Sequence, residues 1–132
     1  MSRPYFSGDI GCYGMHLTID AKNCNYSVRE IVMVRSFLSS LVDKIGMVAH
    51  GQPIVERFGG ERADQMGISG VQLITTSSIT IHTNDEYLDA FLDVFSCKSF
   101  DRDLVSKHFL ERFNPEKMIM KVHGRGVKGE LF

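Results

Sequence analysis

The chain has 132 residues, 43% of them hydrophobic and 23% charged, with a net charge of −1. That is the mix of one globular domain with one core, and the near-zero charge excludes a broad electrostatic pull toward nucleic acid or an anionic membrane. No apolar run reaches the roughly 18 residues of a membrane span. The polar opening "MSRPYFSGDIGCYG" has no apolar stretch of the secretory kind, and three cysteines, Cys12, Cys24 and Cys97, fit reduced thiols in the cytoplasm.

"YGMHLTIDA" alternates, with Met15, Leu17 and Ile19 on one side and His16, Thr18 and Asp20 on the other, which predicts a half-buried strand. "KNCNYS" breaks it. Ser27 and Glu30 make an S-x-x-E capping pattern. Ile31, Val34, Leu38, Leu41, Ile45 and Val48 then keep a 3,4 spacing, so a helix is expected from Val28 to Ala49 with Gly46 fraying its last turn. "QPIVERF" reads as a short strand, placed at an edge by Pro53. "GGERADQMGISG" reads as a loop.

"VQLIT" and "SITIHT" are strand material separated by the hydroxyl run from Thr75 to Ser78. Leu88 to Cys97 is expected to be a strand because of Phe91, Val94 and Phe95. After Ser99, "DRDLVSKHFLERF" carries acidic residues early and basic ones late, as a helix dipole favours. Its inner stripe would be Leu104, His108 or Phe109, and Phe113, and Pro115 stops it. "KMIMKVH" is a last strand and "GRGVKGELF" a loose tail. The expected order is β-α-β-β-β-α-β, a two-layer α+β sandwich with helices on one face of a mainly antiparallel sheet.

Residue types alone leave the function open. A strand histidine such as His82 is more often structural than catalytic, and Cys97 at a strand end is more often a small buried hydrophobe. His16, His50, His108 and His123 show no metal-ligand spacing. Ser69 in "GISGV" does not match the G-x-S-x-G elbow. This much describes a cytosolic α+β domain.

The stretch "GISGVQLITTSSITIHTNDE", followed by "LDVFSC", goes further. It resembles the small prokaryotic-type S-adenosylmethionine decarboxylases, whose runs are G-V-S-G-V, E-S-H-hydrophobic-S/T-I-H-T-W-P-E and F-T-C. The likeness is strongest over residues 67–97 and extends more weakly to "GMHLTIDAKNC". Five positions match in register without a gap. The resemblance implies that Ser77 is the self-cleavage serine, His82 the processing histidine and Cys97 the catalytic cysteine. It also makes Ser69 an assistant in processing and Glu86 the holder of the substrate ribose. Two departures stand out: Thr76 and Ser78 replace the family Glu and His around the scissile bond, and Asn84 and Asp85 replace Trp and Pro. Phe58 is the candidate for stacking on adenine.

The resemblance implies a pyruvoyl cofactor made from Ser77. Its hydroxyl would attack the Thr76 carbonyl, and His82 would take the Ser77 α-proton, splitting the chain into residues 1–76 and 77–132. The ketone would replace a pyridoxal ring as electron sink, and Cys97 would return a proton to the substrate. Since Ser77 and His82 point to opposite faces of a straight strand, a bend near Ser77 is expected. The implied enzyme is a homodimer of cleaved protomers that decarboxylates S-adenosylmethionine for polyamine (spermidine) synthesis, with no metal, nucleic acid or membrane partner. The alternatives are a pyruvoyl decarboxylase for arginine or ornithine, and an uncleaved, inactive homologue.

Overall fold

The computed structural model describes residues 13–126. Six strands and two helices follow in the order β1 (Gly14–Lys22), α1 (Ile31–Lys44), β2 (Ile54–Phe58), β3 (Gly67–Ile74), β4 (Ser77–Asn84), β5 (Asp89–Ser96), α2 (Arg102–Phe113) and β6 (Lys117–Arg125). The strands form one sheet in the order β2-β3-β4-β5-β1-β6, and all five neighbouring pairs are antiparallel. This is the expected α+β architecture with one strand more than the expected order. The hydroxyl run is the reason. Thr75 and Thr76 form a tight turn between β3 and β4, and Ile74 pairs with Ser77 across it.

Period-two alternation sorts each strand into two faces. Leu17 and Ile19 of β1, Ile79 and Ile81 of β4, and Leu92 and Val94 of β5 point to the helices and are buried. They meet Val34, Leu38 and Leu41 of α1 and Val105 and Phe109 of α2 in one core. Phe37 binds the helices together. Its ring lies 5.8 Å from Phe109 and 4.9 Å from Phe113, and truncating such a buried aromatic costs about 3–5 kcal/mol. Among the described residues the other sheet face carries no helix. Ile54, Phe58, Leu73, Phe91 and Ile119 are exposed there, alongside a His16–Asp93 pair at 2.9 Å.

Five local expectations need correction. Ser27 and Glu30 form no capping box: Glu30 is the N-cap residue of α1, but its side chain makes no capping bond. Asn25 accepts from the Ser27 N–H and starts a short 3-10 turn, Tyr26–Arg29, so α1 begins only at Ile31. The helix ends at Lys44, because Gly46 adopts φ +74° and turns the chain away, which leaves Val48 82% exposed. "GISG" is strand, not loop: it opens β3 against β2, with a 3-10 turn, Ala63–Gln65, before it. On α2, Val105 takes the inner place expected for Leu104, since Asp101 is the N-cap and sets the helical phase. Asn114, in the left-handed region, closes α2 just before Pro115. Gly124 and Arg125 belong to β6, while residues 127–132 of the expected tail, with Cys12 at the other end, lie outside the described residues.

Candidate active site

Two clusters contain the residues singled out in the sequence. The first surrounds the β3–β4 turn. Thr76 sits there at φ +61°, a conformation that β-branched residues rarely adopt. The turn precedes Ser77, and β4 runs unbroken from Ser77 to Asn84, so it is not the bend expected to bring Ser77 and His82 to one face. Thr76 Oγ1 donates to the Thr75 carbonyl at 2.5 Å and lies 2.8 Å from Cys97 Sγ. A threonine hydroxyl has one proton to give. With that proton on the Thr75 carbonyl, the Cys97 thiol is the donor to Thr76. Ser77 opens β4 opposite Ser96, the residue before Cys97, and its hydroxyl donates to Ser96 Oγ at 2.8 Å. A recess beside the turn is lined by Met47, Val48, Thr76, Ser77 and Lys98.

The second cluster lies at the far end of β4. Ser69 of β3 pairs with His82 of β4, and Ser69 Oγ is 2.9 Å from His82 Nδ1. Both line a groove on the helix-free face together with Ile54, Glu56 and Phe58 of the edge strand. Phe58 is therefore beside Ser69 and His82 despite the distance in sequence. Glu86 is exposed in the β4–β5 turn, and its carboxylate is the main cause that pushes the Tyr87 phenol above its usual range. The residues standing where the family has Trp and Pro hold this turn. Asn84 Oδ1 accepts from the Tyr87 N–H at 2.8 Å, and its amide donates to the Asp64 carbonyl. Asp85 pairs with Arg57 of β2.

Five residues of strand separate Ser77 from His82, about 17 Å at strand rise, and odd spacing puts them on opposite faces. Within one chain, Thr76, Ser77 and Cys97 come together, Ser69 and His82 come together, and the two groups stay apart. Sequence reasoning missed Ser96 and Arg57. The first was within reach, because a four-residue turn after Asn84 fixes the antiparallel register that pairs 77 with 96.

The two described cysteines differ in kind. Cys24 is buried, and desolvation, followed by the charge of Asp89, pushes its thiol up to about 12, which makes it inert. Cys97 is half-buried at the strand end, next to the turn. Among the described residues no group of three or more His, Cys, Asp or Glu is placed to hold a metal ion. No helix among them is long and apolar enough to cross a membrane.

Residues 15–126 match the model of the S-adenosylmethionine decarboxylase family. The chain belongs to this family. It is thereby a decarboxylase. An S-adenosylmethionine decarboxylase proenzyme of Thermodesulfovibrio yellowstonii is 33% identical over 102 residues, covering 76% of this chain and 71% of that protein. One of Archaeoglobus fulgidus is 33% identical over 107 residues, covering 76% and 90%. An arginine decarboxylase proenzyme of Caldivirga maquilingensis is 28% identical over 125 residues, covering 92% and 90%. The crystal structure of the adenosylmethionine decarboxylase of Aquifex aeolicus VF5 shares the fold, with a TM-score of 0.72 at 24% identity over 90% of this chain and 95% of that one.

Proposed function

We propose that this family member is a cytoplasmic, self-processing, pyruvoyl-dependent S-adenosylmethionine decarboxylase that serves polyamine synthesis. The observation that carries this reading is the Thr76–Ser77 peptide. It lies at a turn with a strained φ at Thr76, its carbonyl precedes a serine hydroxyl, and Cys97 is in contact with it. These are the parts needed to make the group from the chain itself, and they fit it.

Ser77 Oγ adds to the Thr76 carbonyl carbon, the Thr76–Ser77 C–N bond breaks, and the hydroxyl proton ends on the freed amine. A base then removes the Ser77 α-proton, and the Thr76 carboxylate leaves from Cβ. Hydrolysis of the remaining enamine releases ammonia. The base is His82 of a second copy of the chain, oriented by Ser69, because His82 of the same chain is about 17 Å from Ser77 along β4. A homodimer thus completes the site, with the exposed apolar residues of the helix-free face as its contact surface. When formed, the ketone supplies the electron sink for loss of carbon dioxide. Cys97, half-buried and beside Thr76, delivers a proton to the substrate carbon, and Glu86 accepts from the ribose hydroxyls.

A second reading rests on the Caldivirga relative, which spans more of this chain than the first two. It keeps the mechanism and exchanges the substrate for arginine. Denaturing electrophoresis and carboxyl-labelled substrates test both. The expected result is two fragments, 1–76 and 77–132, with a whole chain in Ser77→Ala. Labelled carbon dioxide from S-adenosylmethionine, reduced in Glu86→Gln, supports the first reading, and release from arginine alone moves the assignment to the second. Cys97→Ala should split yet fail in turnover. A wild-type chain that never splits leaves the inactive homologue.

A further inference from the structure

Ser96 has no role in the chemistry above, yet it holds the nucleophile. It is 0% exposed and lies directly across the β4–β5 ladder from Ser77. Its Oγ accepts from the Ser77 hydroxyl at 2.8 Å and from the Lys98 backbone N–H at 2.9 Å. Those two donors occupy both lone pairs of the Ser96 oxygen. Ser96 can therefore orient the Ser77 hydroxyl but has no lone pair left with which to take its proton.

We propose that Ser96 is a positioning residue for chain cleavage. The inference rests on the reading that Ser77 is the self-cleavage serine. A serine at a turn samples three χ1 rotamers, and attack on the preceding carbonyl needs the hydroxyl held in one of them. The buried Ser96 Oγ selects one rotamer and keeps the hydroxyl out of water. The Lys98 amide, two residues further along the same chain, fixes the orientation of Ser96 in turn. Ser96 makes and breaks no bond. In the acyl shift the Ser77 O–C bond forms, the Thr76–Ser77 C–N bond breaks, and one proton passes from Ser77 Oγ to the Ser77 nitrogen.

The test follows the full chain from its synthesis in a cell-free system and measures the half-life of the unsplit form. Ser96→Thr and Ser96→Val have the same shape and differ in the hydroxyl. The Thr variant should split within about twofold of wild type. The Val and Ala variants should be about tenfold slower, the scale of one lost hydroxyl hydrogen bond. Melting temperatures measured in a Ser77→Ala background control for folding. In a His82→Ala background, hydroxylamine cuts an ester but not an amide, so it reads the acyl shift alone, and Ser96→Val should slow that cut by the same factor. A Val variant that keeps pace with wild type, or a Thr variant as slow as Val, overturns the role of Ser96 while leaving the self-cleavage reading intact. A wild-type chain that stays whole and resists hydroxylamine overturns both.

Discussion

Thr76 is a β-branched residue held at φ +61°, and the left-handed region costs a residue with a Cβ about 1–2 kcal/mol. Cleavage at Thr76–Ser77, as proposed, would release that strain. Thr76→Gly, which takes a positive φ freely, should therefore slow conversion of the nascent chain about fivefold, measured as fragment yield against time. An unchanged rate would place the driving force elsewhere. His108 provides a second prediction at this scale. Its Nε2 lies 2.6 Å from Ser40 Oγ and its ring stacks 5.1 Å from Phe37. Burial, with Lys44 and Arg112 nearby, lowers its pKa below the ordinary 6.5. The unfolded chain then binds a proton that the folded one refuses, so this contribution to stability is complete above about pH 6.5 and is lost as pH falls toward the folded value. Urea midpoints between pH 7.5 and 5 should fall more steeply in the wild type than in His108→Gln.

The two glycines of "GISG" place Ser69 on β3. A Cβ on Gly67 would come within 1.8 Å of the Thr83 carbonyl oxygen, which is backbone of the paired strand, whereas on Gly70 it would meet the Leu38 side chain at 2.9 Å. A side chain can yield, but a ladder carbonyl cannot. Gly67→Ala should therefore cost about 3 kcal/mol and Gly70→Ala about 1 kcal/mol, read from urea unfolding; equal costs would contradict the packing argument. At this scale the sequence was legible wherever one side chain decides. Val34, Leu38 and Leu41 marked the buried stripe of α1, and alternation marked β1. It misled where two local options competed. Asn25 drew Ser27 into a 3-10 turn ahead of α1, and Gly46 cut Val48 off from the stripe. The spacing of Ser77, His82 and Cys97 identified the candidates, but their division into two clusters depends on strand register and facing, which no single stretch encodes.

If each site draws on two chains, defects in different chains should complement. A Ser77→Ala chain still offers His82, and a His82→Ala chain still offers Ser77. Co-expressed, the His82→Ala chain should split, although alone it stalls; no splitting in the mixture would confine the site to one protomer. Phe91→Asp on the helix-free face, where Phe91 is 43% exposed, should give monomers by sedimentation and abolish splitting with them. The strand order carries its own consequence. A cut between Thr76 and Ser77 puts β1, β2 and β3 in one peptide and β4, β5 and β6 in the other, yet β1 lies between β5 and β6, and β3 lies against β4. Of the five ladders, only β2–β3 and β4–β5 stay within a peptide, so three join the two. The pieces are dovetailed. Neither holds a closed set of neighbours, and each would show raw strand edges without the other. A cut at Thr76–Ser77 would set neither peptide free: the halves should co-elute in native buffer, part only in denaturant, and serve as each other's folding template if they are made as separate peptides.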